Sequence, residues 1–418
     1  IAPQTVNTAP PHTLAAFKET GAVAFSVEGL EDEAEKLLNE IGKFGVDMDE
    51  VYETLETKGV KSFSDAFAQL MDVIQTRKEE MQAQIGDLAE STAGQIHQLM
   101  ENKAPQRMAE MDPTLWTDDP EGQEEIVRRL GWVDAPWQVM ELLPTVTQIA
   151  QDAVEDGFTH CTLLGMGGSS LAPEVERLTL GIGEVDGKPG LDLAILDSTD
   201  PGQVKECTER APIANTLFVV ASKSGSTAEV HAFMEHFWKK AVQELGEEEA
   251  GNNFVVVTDP GSMLIPIAEE RNFRAVVISD PNVGGRFSAM TAFGVTPAAV
   301  VGFDVEELLS RAQKMAAQCK PEVPAGRNPG LVLGALIGQA SLQGRDKLGI
   351  ITDPAFASLG SWLEQLIAES SGKEGKGIVP IDGEPVIIPP ASEKDRLYVY
   401  VKYNRTKDGV VKQLRCVG

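Results

Sequence analysis

The chain has 418 residues, 42% hydrophobic and 24% charged, the composition of an ordinary globular protein of two or three domains. A formal net charge of -28 repels polyphosphate and anionic headgroups, which excludes nucleic acid and an anionic membrane surface as partners and requires any anionic ligand to be held by local donors. No apolar run approaches the roughly 20 residues of a membrane span, and the polar, proline-containing start is unlike a signal peptide. The four cysteines, Cys161, Cys207, Cys319 and Cys416, show no C-x-x-C spacing, so reduced thiols and a cytoplasmic location are expected.

Residues 1–85 read as helices alone. Thr13–Glu19, Glu31–Phe44, Asp47–Lys58 and Ser62–Gln84 carry apolar residues at helical spacing, as Leu37, Leu38, Ile41 and Phe44 do, and their breaks contain Gly and Pro. The pattern predicts a helical cap or bundle. Residues 86–158 are again helical and acidic, with Trp116, Trp132 and Trp137 expected as packing anchors because of the area each ring buries.

From His160 the texture changes. Cys161–Leu164, Leu193–Leu196, Leu217–Ala221, Phe254–Thr258 and Ala275–Ile278 are short continuous apolar runs, separated by helical stretches such as Leu171–Leu180 and Thr227–Leu245. That alternation predicts an α/β fold over 159–303, a parallel sheet sandwiched by helices. Ligands of such sheets bind beyond the carboxyl ends of the strands. Four loops are expected there: Gly165-Met-Gly-Gly-Ser-Ser170, Asp197-Ser-Thr-Asp200, Ser222-Lys-Ser-Gly-Ser-Thr227 and Asp259-Pro-Gly-Ser262. Residues 304–418 then read as a helical connection (Val305–Ala317, Gly330–Leu342) and an incomplete second α/β domain. Its strand is Lys347–Thr352, its helix Ala357–Ser370 and its extended piece Leu397–Tyr403. A start on Ile rather than Met, and an end soon after an apparent strand, suggest a fragment.

The first and third of those loops carry the most chemistry. Each places glycines and hydroxyls at a helix N-terminus, where free N–H groups and the helix dipole favour a phosphate, and Lys223 adds a positive charge. A dinucleotide fingerprint does not fit. Ser170 stands where the third glycine belongs, and Asp197 follows Gly165 by 32 residues rather than about 20. No Gly-Lys-Ser/Thr triplet exists for a Walker loop. Glycines placed only for tight turns remain an alternative for the first loop. A Schiff-base role for Lys223 would need an apolar setting, and the flanking hydroxyls point instead to a charged ligand. Arg286, in Gly284-Gly-Arg-Phe-Ser288, is either a surface ion-pair partner or a stabiliser of an anionic transition state. Glu369 ends the helix Trp362-Leu-Glu-Gln-Leu-Ile-Ala-Glu-Ser370, on the same side as Gln365, and a Gly-Lys-rich loop follows.

Two resemblances follow. Thr5-Val-Asn-Thr-Ala-Pro-Pro-His-Thr-Leu14, Phe44-Gly-Val-Asp-Met-Asp49 and the helix Phe63–Lys78 resemble the C-terminal tail of transaldolase. That resemblance implies that residues 1–85 are a remnant without the family's catalytic lysine and carboxylates. Gly-Met-Gly-Gly-Ser-Ser-Leu-Ala-Pro, Ser-Lys-Ser-Gly-Ser-Thr-Ala-Glu, Gly-Gly-Arg-Phe-Ser and Leu-Glu-Gln-Leu-Ile-Ala-Glu-Ser-Ser-Gly-Lys resemble, in order, the motifs of the glucose-6-phosphate isomerases, over about residues 95–403. Together they imply a fusion of the two families, with a sugar-isomerase fold of two lobes, the second incomplete.

The isomerase resemblance implies interconversion of glucose 6-phosphate and fructose 6-phosphate through a cis-enediol, in glycolysis and gluconeogenesis. By it, Gly168, Ser169, Ser222, Lys223, Ser224, Ser226 and Thr227 hold the phosphate of a hexose phosphate. Gly285 and Gln365 bind the sugar, Arg286 steadies the enediolate and Glu369 is the base. It also implies a homodimer and no metal or organic cofactor. Three departures bear on turnover. Val230 stands where the family commonly has a threonine, no histidine follows His236, and 404–418 match no motif of the family. The expectation is therefore a chain that binds sugar phosphate with impaired turnover. A non-catalytic sugar-phosphate sensor, which would need neither Glu369 nor Arg286, and a transaldolase are the rival readings.

Overall fold

The computed structural model describes residues 8–22, 29–384 and 394–402, and it divides into two units, Ile1–Gln84 and Ile85–Gly418. Thr5, Tyr403, Cys416 and the whole 404–418 end lie outside the described residues.

In the first unit the chain forms α1 (Pro11–Thr20), α2 (Glu31–Lys43) and α3 (Met48–Ile85). Proline opens α1 at a position whose N–H would be unbonded in any case. The two helices expected on either side of Gly59 are one continuous helix, because a single interior glycine costs only about 1 kcal/mol. The expected bundle core is not formed among the described residues. No described residue between 8 and 76 is buried, and Phe44, expected inside α2, lies just past its end and exposed.

The second unit begins with α4 (Leu88–Glu101) and a series of short helices, followed by α5 (Leu143–Glu155). Next come β1 (His160–Gly165), α6 (Leu171–Leu180), β2 (Asp192–Leu196), α7 (Pro201–Glu209), β3 (Thr216–Ala221) and α8 (Ala228–Leu245). The first α/β lobe closes with β4 (Phe254–Thr258), α9 (Leu264–Glu270), β5 (Ala275–Ile278) and the wholly buried α10 (Ala292–Val301). The five strands form one parallel sheet in the order β2-β1-β3-β4-β5.

Alternate side chains of these strands feed two cores, as the pleat requires. Cys161, Leu163, Leu217, Val219 and Val255 pack against α5 and α10, with Val146, Ile149, Phe293 and Val300 opposite. Leu164, Phe218, Val220, Phe254 and Val256 pack against α8 and α9 through Phe233, Met234, Phe237 and Leu264. Every residue of β3 and β4 is buried, which is why those runs carry no polar alternation. The thiols of Cys161, Cys207 and Cys319 are unpaired.

The chain continues through α11 (Val305–Ala317) and α12 (Pro329–Leu342) to β6 (Lys347–Thr352), α13 (Leu359–Ser371), β7 (Val379–Ile381) and β8 (Arg396–Val401). The last three strands form a second parallel sheet, β8-β6-β7. The mixed α/β architecture with parallel sheets and a leading helical stretch is thus the one expected from the sequence.

Candidate functional site

In the order β2-β1-β3-β4-β5, the connections leaving β1 and β3 run to opposite sides, and such a reversal opens a crevice beyond the strand ends. Gly165 of β1 pairs with Ala221 of β3. The two glycine- and serine-rich loops therefore start at the same level, one strand spacing of about 4.8 Å apart. Each runs into a helix, α6 or α8, whose N-cap residue, Ser170 or Thr227, makes no side-chain capping bond. The first-turn N–H groups of both helices are thus not consumed by a cap, which suits an anion.

Gly167 has φ +55° and opens a tight 3-10 turn through Ser169. In the second loop the hydroxyls are paired: Ser222 Oγ with Thr227 Oγ1 at 3.0 Å and Ser224 Oγ with Ser226 Oγ at 2.6 Å. Gly225 has φ +67°, and a methyl there would lie 2.1 Å from Ser262 Oγ, so this loop is seated directly on the loop that follows β4. Val230, where a further hydroxyl was missed, is buried in the core between α8 and the sheet.

Lys223 has a partner that the sequence did not suggest. Its ammonium donates to Asp259 Oδ2 at 2.5 Å and to the carbonyl oxygens of Asp280 and Pro281 at 3.4 Å each. Burial pushes the Asp259 carboxyl above its ordinary value while Lys223 pulls it back. The charge expected to face a phosphate is here engaged by a neighbouring strand end.

Arg286 lies in a 3-10 turn, Gly285–Met290. The acidic lead-in supports this segment: Trp132 stacks on Phe287 with ring centroids 5.4 Å apart, and Gly131 N donates to Asn282 O. Trp137 also has a packing role, under the ammonium of Lys320, whereas Trp116 is 46% exposed. The guanidinium donates from Nη1 to Glu369 Oε1 at 2.9 Å and from Nε to Ser370 Oγ at 2.8 Å. Gln365 Nε2 is 3.4 Å from Glu369 Oε2. The Glu369 side chain remains 51% exposed, and Lys373 Nζ donates to its backbone carbonyl at 2.6 Å, a cation at a helix C-terminus.

The first loop meets this cluster directly. A methyl on Gly168 would lie 2.3 Å from the carbonyl carbon and oxygen of Gly285, and one on Gly167 would lie 3.0 Å from Gln365 Nε2. Ser288, buried, donates its hydroxyl to the carbonyls of both Gly168 and Gly285. A glycine cradle, a guanidinium, a carboxylate and an amide thus form one assembly drawn from separate chain segments. Among the described residues no group of three His, Cys, Asp or Glu could hold a metal ion, and no helix is long and apolar enough to cross a membrane.

The family model for phosphoglucose isomerase matches residues 140–386, more than half of the chain. The chain belongs to the phosphoglucose isomerase family. The transaldolase/fructose-6-phosphate aldolase family model matches residues 1–74, so a transaldolase-like segment is fused ahead of the phosphoglucose isomerase part. Glucose-6-phosphate isomerase of Rubrobacter xylanophilus is 30% identical over 255 residues, covering 60% of this chain and 58% of that protein. That of Trichormus variabilis is 29% identical over 323 residues, covering 75% and 56%. The chain spans about half the length of the curated relatives it matches. Among solved structures, a protein of Thermus thermophilus described as hypothetical superposes with a TM-score of 0.61 at 25% identity, covering 75% of this chain and 73% of that one.

Three residues of this assembly were given no role from the sequence. Ser288 and Ser370 sit inside quoted motifs, beside Arg286 and Glu369, and their adjacency was the available signal. Asp259 stands in a loop expected at the strand ends, but its pairing with Lys223 spans 36 residues and no local spacing reveals it.

Proposed function

We propose that this protein is an aldose–ketose isomerase that interconverts glucose 6-phosphate and fructose 6-phosphate through a cis-enediol. The observation that carries the reading is the 2.9 Å pairing of Arg286 with Glu369, against the glycine cradle at the β1/β3 crevice. The phosphate is taken by Ser169, Ser222, Ser224, Ser226, Thr227 and backbone N–H groups, with Gly168 and Lys223 shaping the two loops. From there the sugar chain extends to Gly285, Gln365 and Glu369. In the open-chain aldose, Glu369 removes the proton from C2 as the electron pair moves to form the C1–C2 double bond. Arg286 stabilises charge developing on the adjacent oxygens. Return of the proton to C1, with transfer of the O2 proton to O1, completes the ketose. The site is proposed to act in the cytoplasm on free hexose phosphate, in glycolysis and gluconeogenesis and in a homodimer.

The test is incubation of fructose 6-phosphate with the protein in heavy water, read by mass spectrometry of the recovered sugar, beside a coupled assay for glucose 6-phosphate. Deuterium should enter at C1 or C2 with the native chain and not with Glu369→Gln, while both bind the sugar phosphate. Equal incorporation by the two would overturn Glu369 as base. Binding by both with no incorporation by either would make the protein a sugar-phosphate binder.

A further inference from the structure

The strand-end loops after β3, β4 and β5 are joined through one ammonium group. Lys223 Nζ reaches Asp259 Oδ2 at 2.5 Å and the carbonyls of two consecutive residues, Asp280 and Pro281, at 3.4 Å. The backbone repeats the connection. Lys223 O accepts from Asp259 N at 3.0 Å and from Thr258 Oγ1 at 3.2 Å, and the same hydroxyl donates to Ser222 O at 2.6 Å. Asp259 and Lys223 are both largely buried, at 15% and 22% side-chain exposure. The second carboxylate oxygen, Asp259 Oδ1, is buried without a hydrogen-bond partner. A buried carboxylate in that position holds its one cation firmly, because releasing it would leave an uncompensated charge. Pro281 lies only five residues before Arg286, and the intervening segment is anchored at Asn282 by Gly131.

We propose that Asp259 is a positioning residue: by fixing the Lys223 ammonium it ties the Ser222–Thr227 loop to the segment that presents Arg286. Seating an anion in that loop and aiming the guanidinium then become one mechanical event rather than two. The part Arg286 plays in turnover rests on the isomerase reading, but the tie itself does not.

The measurement is hydrogen–deuterium exchange of the 282–290 amides, with and without inorganic phosphate, in the native chain, Asp259→Asn, Lys223→Met and the double variant. Asp259→Asn keeps the side-chain shape, and the double variant leaves no unpaired buried charge, so at least one variant remains folded for comparison. Exchange over 282–290 should rise about 10-fold or more in each variant, with β1 and β3 unchanged, since local openings are independent of the core. The double variant should be no faster than the singles, as expected for two residues acting through one contact. Where deuterium incorporation into fructose 6-phosphate is measurable, Asp259→Asn should lower its rate about 10-fold while sugar-phosphate affinity stays within about 3-fold, the sign of lost positioning rather than lost binding. Asp259→Glu should recover part of both effects.

Unchanged exchange over 282–290, or a rise spread evenly over the sheet, would overturn the proposal. So would loss of phosphate binding with the Arg286 segment unaffected, which would put Lys223 in the cradle itself. A localised rise in exchange together with no incorporation by the native chain would reject the isomerase reading and leave the tie standing.

Discussion

Replacing Gly168 by Ala tests whether the glycine loop after β1 and the Arg286 loop form one unit. The added methyl would lie 2.3 Å from the carbonyl carbon and oxygen of Gly285 and 2.7 Å from the nitrogen of Arg286. Those atoms are backbone and cannot swing aside. Restoring an ordinary contact of about 3.5 Å requires a separation of roughly 1 Å. Overpacking of this kind costs about 1–3 kcal/mol. The Ser288 hydrogen bond to Gly168 O, 3.1 Å long, would be stretched past its useful range, at about 1 kcal/mol more. At roughly 2–4 °C per kcal/mol, melting should fall by about 4–16 °C. A 1 Å misplacement of a reacting group costs on the order of 10²-fold in rate, so deuterium incorporation into fructose 6-phosphate should fall by about that factor. The control is Gly285→Ala, whose methyl meets nothing within 4 Å. It should melt like the native chain and lose affinity only where the sugar needs that space. A Gly168→Ala protein with native melting and native incorporation would refute the reasoning.

Two further substitutions probe stability. Burial raises the Glu176 carboxyl from 4.5 to about 8, and its Oε2 has no hydrogen-bond partner. A folded-state value above the unfolded one means full stability below about pH 4.5, lost progressively as pH rises to about 8 at up to about 1.4 kcal/mol per unit. Glu176→Gln should flatten that decline and stabilise the protein at pH 8, read from urea midpoints at pH 5 and pH 8; parallel pH profiles for the two proteins would argue against it. Phe218 is stacked between Phe237 and Phe254, with ring centroids 4.6 and 5.0 Å away. Phe218→Ala should cost about 3–5 kcal/mol by the same denaturation measurement, and a loss below about 1 kcal/mol would mean that this face of the sheet is not the packed core.

The five strands of the first sheet were legible as unbroken apolar runs, which for the central strands follows from burial on both faces; Phe254–Thr258 and Ala275–Ile278 have the expected bounds. The helix Ala292–Val301 was not legible, for the same reason carried further. It is buried all round, so it shows no 3.6-residue stripe, and Gly294 and Pro297 break any helical signal further. β7, three residues containing a proline, offers too little pattern to find. In the site, the loops announced themselves through glycine and serine at strand–helix junctions, a local signal. The pairing of Arg286 with Glu369 spans 83 residues and was not anticipated; the resemblance had only given the two residues roles in the same site. Lys223 shows the opposite limit: its charge was visible in the sequence, but its counter-ion was not.

The order β2-β1-β3 has a consequence for how the cradle comes into being during synthesis. β1 is interior to the sheet, yet both of its neighbours follow it in the chain, and the pair that sets the crevice, Gly165 and Ala221, is 56 residues apart. At about 5–20 residues per second, β1 waits roughly 3–11 s before β3 is made. Arg286 and then Glu369 arrive later still. The two loops of the crevice are therefore synthesised before the residues that, on the proposed isomerase reading, act on the sugar, so the site is assembled from its glycine- and serine-rich side first.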